Sequence, residues 1–483
     1  MNQISKLQPN AIWKYFNEIT QIPRPSKKEE KIIKYLLDFA KEYKLEAEKD
    51  EVGNVVIRKA ATKGMENTTP VILQSHTDMV CEKNNDVDFN FDTDPIQTYI
   101  DGDWVKAKGT TLGGDDGIGI AASLAILAAN DIQHGPLECF FTADEETGMT
   151  GAFGLLPGFL KGKILINLDS EDEGELFIGC AGGMDTSIEI NYQKEKIPKS
   201  WYSCKISVTG LNGGHSGDEI DKGLGNANKI LNRFLWRLSE KVEFKLSNFD
   251  GGNLRNAIAR EASAIISVSQ HNKEQIRLAL NIYTSEIQNE YSVTEKSLQL
   301  DMTTINTPEI AIDKETQTKL LKAVYACPHG VIAMSQSIEN LVETSTNLAS
   351  VKFKEDKIVI GTSQRSSVDS ALTDVAIMVR TVFELTGATV KHTDGYPGWT
   401  PKLDSEILKV TEKSYKTLFN EKPKVLAIHA GLECGLFLTK YPHLDMISIG
   451  PTVKGAHSPD ERMHIPSVQK FWDLLVDVLK NIK

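Results

Sequence analysis

Five residues of this chain have the types and the local settings of ligands to a pair of metal ions: His76, Asp115, Glu146, Asp169 and His457. Four lie where a buried strand should end, or in the loop just after it. VILQSHTD (71–78) is an apolar run ending in His-Thr-Asp, and TTLGGDDGIG (110–119) is a glycine-rich turn opening a helix. LECFFTADEETG (137–148) ends in paired glutamates, and KILINLDSEDEGE (163–175) carries an aspartate after its apolar run. The fifth segment, GAHSPDE (455–461), follows DMISIGPT far along the chain. Imidazole and carboxylate donors without thiolate suit zinc, cobalt or manganese. Open α/β sheets gather function at the carboxyl ends of their strands.

Two metals about 3.5–4 Å apart can share one water and lower its pKa. Asp115, on a tight Gly-Gly turn, is the candidate bridge; its neighbour Asp116 could serve on chemistry alone. His76 and Asp169 would complete one metal, Glu146 and His457 the other. Asp78 lies two residues beyond His76, on the same face of a strand, where a carboxylate orients a ligating imidazole. Glu145 precedes the ligand Glu146 and is spare. A carboxylate beside the metals but not bound to them can act as general base on the water and then protonate a leaving amine.

These segments need a scaffold, and the pattern provides an α/β one. A helix is expected over 28–43, strands over 51–58 and 71–75, a buried small-residue helix over 117–130, and strands over 137–142 and 163–168. From 201 to about 387 a second set follows: strand 203–209, helix 226–238, strand 262–268, helix 273–289, strand 297–303, helix 314–326, strand 357–362 and helix 370–386. That is strand-helix-strand-helix twice, an α/β domain of two similar halves, with no evident sequence repeat. A helix over 404–419, a strand over 424–428, the DMISIGPT strand and a helix over 467–481 close the chain. If His457 shares a site with His76, residues 1–186 and 388–483 form one discontinuous catalytic domain, a mixed β-sheet flanked by helices. Residues 187–387 are then an inserted lid.

The chain has 483 residues, 40% hydrophobic and 25% charged, with a net charge of −12. Length implies two to three domains, and the negative balance excludes binding nucleic acid or anionic membrane through bulk charge. No apolar run approaches the roughly 18 residues of a membrane span. MNQISKLQPNAIWKYF has no apolar signal core. The six cysteines show no paired spacing, so they are expected to pack as small apolar residues. A cytoplasmic location is the simplest expectation.

The strings SHTDMVCEKNND, DPIQTYIDGDWVKAKGTTLGGDDGIG, HGPLECFFTADEETGMTGAFGL, NLDSEDEGELFIGCAGG and IHAGLECG, with NGGHSG and the late HSPDE, resemble the dizinc amidohydrolases that include aminoacylases and carnosinases. They are most similar to the branch of aminoacyl-histidine dipeptidases, over essentially the whole chain. The resemblance implies a cytosolic metallodipeptidase, usually zinc-dependent and usually a homodimer, cleaving unblocked dipeptides including Xaa-His. It places the metal ligands on His76, Asp115, Glu146, Asp169 and His457, favouring Asp115 over Asp116, and the two catalytic carboxylates on Asp78 and Glu145. It places a carbonyl-polarising histidine on His215 of GGHSG. Asn256 of GGNLRNAIAR and Arg365 of SQRSS fall on substrate-touching lid residues, Arg365 toward the substrate carboxylate, which an arginine fork suits. Two positions depart from the pattern: Ala259 stands where relatives have proline, and Gly114 and Asp116 where close relatives often have alanine and asparagine.

Other acids and histidines read two ways or blandly. HAGLECG (429–435) either lines the pocket, with Glu433 meeting a substrate ammonium, or is a glycine-rich turn into a helix. His134, His271, His329 and His443 have no motif and are expected at the surface, and His464 reads as structural. The acids of DSEDEGE beyond Asp169 read as a solvated loop rather than a calcium site. An N-acyl amino acid deacylase or a tripeptide aminopeptidase could use the same metal pair, and a non-catalytic protein would be expected to have lost Glu145 or a ligand.

Overall fold

The computed structural model describes residues 3–483. They form two compact units, one of 3–180, 399–427 and 432–483, the other of 181–398 and 428–431. Residues 181–186, 388–398 and 428–431, expected with the first unit, group with the second.

The first unit is built on an eight-stranded sheet. Its order is Glu46–Lys49, Val55–Lys59, Leu137–Thr142, Val71–His76, Ile164–Asn167, Asp445–Ser448, Glu175–Cys180 and Lys424–Ile428. The four strands from Leu137–Thr142 to Asp445–Ser448 run parallel. Val71–His76 and Leu137–Thr142 are buried at every position, as expected of parallel strands covered on both faces. The helix Gly114–Ala128 is small, apolar and buried almost all round. It packs against the helix Asn10–Ile19, whose Ile12, Trp13 and Phe16 are fully buried, each contributing about 1.5–3 kcal/mol of burial. The strand expected from 51 begins only at Val55, because Glu51–Gly53 turn and Gly53 has φ +104°.

The second unit carries an antiparallel sheet built from two halves of one topology. The first half runs Tyr202–Thr209, helix Ala227–Ser239, Phe244–Gly251, Ala262–Val268, helix Lys273–Glu290 and Gln299–Ile305. Its strands lie in the order fourth, first, third, second, which is the split βαβ arrangement. The other half has Gly182–Asn191, helix Lys314–Ala326, Val342–Phe353, Lys357–Ser366, helix Asp369–Glu384 and Thr389–His392, in the same order. The first half is nested between the first strand and first helix of the other. Asp250 and Gly251, paired with Lys352 and Val351, join the two ladders. Ile206, Leu235, Phe249 and Phe383 belong to the core of this unit. All six cysteines are free and five are buried.

Candidate metal centre

His76 ends its strand 1% exposed. Its Nε2 lies 2.8 Å from Asp115 Oδ1 and 3.4 Å from Asp169 Oδ1. His457, on a loop with φ +62°, brings its Nε2 to 3.1 Å from Asp115 Oδ2 and 3.1 Å from Glu146 Oε2. Asp115 therefore offers one oxygen to each imidazole. Donor atoms of His76, Asp115 and Asp169 fall within 4.8 Å of one another, as do those of Asp115, Glu146 and His457. Glu145 joins His76 and Glu146 in a third such group. Asp116 points elsewhere: its Oδ1 accepts the N–H of Gly119 at 3.1 Å, and the side chain is buried.

Asp78 ties the site together from behind. Its Oδ1 lies 3.3 Å from His76 Nδ1 and accepts the Glu145 N–H at 3.0 Å. Its Oδ2 accepts the Glu146 N–H at 3.2 Å and the Ser26 hydroxyl at 2.7 Å. One buried carboxylate thus orients an imidazole and fixes the turn that carries both glutamates. Neither Ser26 nor this grip on the glutamates is visible in the sequence.

Charge in the pocket is unbalanced. Burial works against a charged His76, yet Asp169, Asp115 and Asp78 outweigh it and hold its pKa well above 6.5. Hydrogen bonds to Asp115 and Glu146 raise His457 to about 11. Burial, then repulsion from Asp115, pushes Asp169 up to about 7. Burial also lifts Glu145 well above its usual range, with Asp169, Glu433 and Glu146 adding repulsion. Glu146 Oε1 is buried without a hydrogen-bond partner. Carboxylates outnumbering imidazoles, and a lone pair with no donor, fit divalent cations: an ion in each trio would relieve the repulsion and take the imidazoles neutral.

Beneath the site a polar row crosses the parallel strands. Ser448 Oγ donates to Asn167 Oδ1 at 2.5 Å, Asn167 Nδ2 to Gln74 Oε1 at 2.6 Å, and Gln74 Nε2 to Glu433 Oε2 at 2.8 Å. Thr142 Oγ1 donates to the same Glu433 oxygen at 2.7 Å. Glu433 opens the helix Glu433–Lys440 and is 2% exposed, with burial raising its pKa to about 8. Glu171, expected in a solvated loop, is half-buried and feels Asp115 and Asp169, and burial raises it to about 8. Two histidines expected at the surface are inside. His134 is fully buried, its Nδ1 donating to Gly135 O at 2.7 Å. His329 is half-buried, its Nδ1 accepting the Leu348 N–H, and burial lowers it to about 4. His464 packs against Trp104, with ring centroids 4.9 Å apart and the rings tilted by 50°.

The sequence profile of peptidase family M20/M25/M40 matches residues 72–481. The chain belongs to this family. This M20-family peptidase is 45% identical to a cytosol non-specific dipeptidase of Escherichia coli (strain K12) over 482 residues, 100% of the chain and 99% of the relative. Its fold matches an aminoacylhistidine dipeptidase from Vibrio alginolyticus with a TM-score of 0.94 at 44% identity, covering 100% of this chain and 98% of that one. A tripeptidase from Staphylococcus aureus shares the fold at a TM-score of 0.58 and 16% identity, over 98% of both chains.

In the second unit of this M20 peptidase, His215 and Asn256 lie on adjoining segments. His215 pairs with Ala257, and Ser216 N–H donates to Asn256 O at 2.8 Å. His215 Nδ1 lies 3.0 Å from Asp218 Oδ2, and this contact holds the Asp218 carboxyl down. Arg365 is 9% exposed; its Nη1 donates to Tyr396 Oη at 3.3 Å, and its Nε has no hydrogen-bond partner. His429 was not singled out by the sequence beyond its place in HAGLECG. Its Nε2 lies 2.7 Å from Ser345 Oγ, and burial, then Arg365, lowers it to about 4.

Proposed function

We propose that this protein is a metal-dependent dipeptidase acting on unblocked dipeptides, Xaa-His among them. The observation that carries the reading is Asp115, with one oxygen toward His76 and the other toward His457. His76, Asp115 and Asp169 would hold one divalent ion, and Asp115, Glu146 and His457 the other. Zinc is favoured, and cobalt or manganese suits the same donors. When bound, the ions lower the pKa of a shared water and polarise a carbonyl. Glu145, adjacent to the ligand Glu146 but outside both trios, takes the proton from the attacking water and passes it to the departing amine. Asp78 keeps His76 and Glu145 in place. Glu433, which burial raises to about 8 in the metal-free site, would carry the charge to meet a substrate ammonium once cations beside it favour its ionised form.

His215, Asn256 and Arg365 are proposed as substrate-binding residues, His215 for the scissile carbonyl and Arg365 for the terminal carboxylate, and the second unit as a lid. Asp218 at His215 Nδ1 and the unpartnered Nε of buried Arg365 support these roles. The identity to a cytosol dipeptidase supports a cytoplasmic enzyme. No helix among the described residues is long and apolar enough to cross a membrane. A homodimer is proposed on the resemblance, to be checked by light scattering. The test of function is hydrolysis of Gly-His, β-Ala-His, Ala-Leu, Ala-Ala-Ala and N-acetyl-Met, with and without chelator and added zinc. Cleavage of the free dipeptides, lost with chelator, is expected. Turnover of N-acetyl-Met in their place would overturn the dipeptidase reading and leave a deacylase.

A further inference from the structure

The loop that carries His457 also carries Glu461, and Glu461 reaches back to the turn that carries Asp115. Glu461 is 2% exposed. Its Oε2 accepts the N–H groups of Leu112 at 2.7 Å and Gly113 at 3.0 Å, and its Oε1 those of Gly114 at 2.7 Å and Asp115 at 3.4 Å. Four successive amides converge on one buried carboxylate. From the other side comes Arg24, 2% exposed. Its Nη2 donates to Gly113 O at 2.6 Å, and its Nη1 donates to Thr77 O at 3.1 Å and to Asp78 O. The Gly113 residue is thus held by its N–H and by its C=O.

We propose that Glu461, with Arg24 as its counterpart, is a positioning residue that sets Asp115 between the two histidines. Arg24 joins the Asp115 turn to the end of the His76 strand, and Glu461 joins the same turn to the His457 loop. Three of the ligand-bearing segments are therefore locked by two side chains that need not touch a metal. Gly113 and Gly117 of GGDDG leave room for this clasp. A Cβ on Gly113 would stand 2.7 Å from Arg24 Nη2, and one on Gly117 2.8 Å from it. Gly113 also has φ +69°, which favours glycine.

The inference rests on the two-metal reading, and its test separates the two. Zinc and cobalt affinity of the purified full chain would be measured by chelator competition. Metal stoichiometry, the cobalt absorption spectrum and thermal unfolding of the metal-free protein would be recorded alongside, for wild type, Glu461→Gln and Glu461→Asp. Glutamine keeps the shape but turns an amide donor onto two of the four backbone donors. Loss of a group that orients metal ligands typically weakens binding about 10- to 100-fold. The expected result is that loss in Glu461→Gln, with an altered cobalt spectrum and partial recovery in Glu461→Asp. If Glu461→Gln does not fold, Glu461→Asp and Arg24→Lys provide the same readouts. Folded variants that bind two metals with wild-type affinity and spectrum would overturn the positioning role alone. A wild type that binds no metal would overturn the two-metal reading and the positioning role with it.

Discussion

Replacing Asp78 by asparagine tests whether one carboxylate really organises the site. Asp78 is 0% exposed. Its two oxygens divide four groups: His76 Nδ1 and the Glu145 N–H on one, the Glu146 N–H and the Ser26 hydroxyl on the other. Asparagine keeps the volume but turns one oxygen into an amide donor. Whichever way it is placed, one of the two backbone N–H groups faces a donor, while the Ser26 hydroxyl can rotate away. A buried donor left unsatisfied costs about 1–3 kcal/mol. If that cost falls on the placement of Glu145 and His76 in the transition state, kcat/KM drops about 5- to 150-fold. The assay is dipeptide hydrolysis at saturating zinc, with metal content measured on the same sample. A second readout follows from the pKa. Burial opposes ionisation of Asp78, but its bonds to His76, Ser26 and Glu145 hold it at about 2, below the ordinary 3.8. A depressed carboxylate stabilises the fold above its unfolded pKa and loses that contribution as pH falls through the folded one. The stability gap between the metal-free wild type and Asp78→Asn should therefore be full at pH 5 to 6 and close as pH falls from about 4 toward 2. An Asp78→Asn enzyme with unchanged kcat/KM, unchanged metal content and a pH-independent stability gap would refute the reasoning.

Three further outcomes are expected. Glu145→Gln should retain both metals and lose about 10²- to 10⁴-fold in kcat; near-normal turnover would rule out Glu145 as the base. Metal binding near pH 7 should release at least two protons, because His457 at about 11 and the raised His76 must become neutral to ligate, and cations also favour ionisation of the raised Asp169 and Glu145. Calorimetry in buffers of different ionisation enthalpy reads this number, and affinity should rise with pH; proton-neutral binding would contradict the ligand assignment. Arg365→Lys keeps the charge but not the fork, so KM for dipeptides should rise about tenfold while C-terminally amidated dipeptides respond little; equal effects on both would remove the carboxylate role.

Most residues brought together at the candidate metal centre were legible because they sit at a strand end or in the loop just after it, with a sharp local signature. His-Thr-Asp, Gly-Gly-Asp-Asp and Glu-Glu interrupt runs that are otherwise apolar, and only burial on both faces makes such runs. The elements missed are those whose sequences follow no simple period. Val342–Phe353 reads VETSTNLASVKF, yet Thr344, Thr346, Asn347 and Leu348 are all buried. Polar side chains of this strand find partners inside the fold, as where Thr346 Oγ1 accepts from Gln364 Nε2 and Thr344 Oγ1 pairs with Ser366 Oγ, so hydrophobicity along the strand says nothing. Gly182–Asn191 begins with glycines pressed against the backbone of Tyr396 to Gly398, again without an apolar signal.

The supporting residues were hidden for another reason: their meaning depends on partners far away in sequence. Gln74, Asn167 and Ser448 are single polar residues in apolar strands, and each could be dismissed alone. Neighbouring parallel strands place Gln74 opposite Asn167 and Asn167 opposite Ser448, so they can only form one row. A buried polar group is tolerated where it is paired, and three strands that each accept one at the same level pair them with one another in a chain. The chain ends on Glu433, which accepts from Gln74, and His76 and Asp169 each follow a member of the row by two residues, Asp169 just past the end of its strand. The alternation that puts His76 and Gln74 on one face makes the polar row and the proposed metal ligands two tiers of one arrangement. Polar breaks in buried parallel strands, taken together with the strand order, would have pointed to the floor of the site as clearly as the ligands point to its mouth.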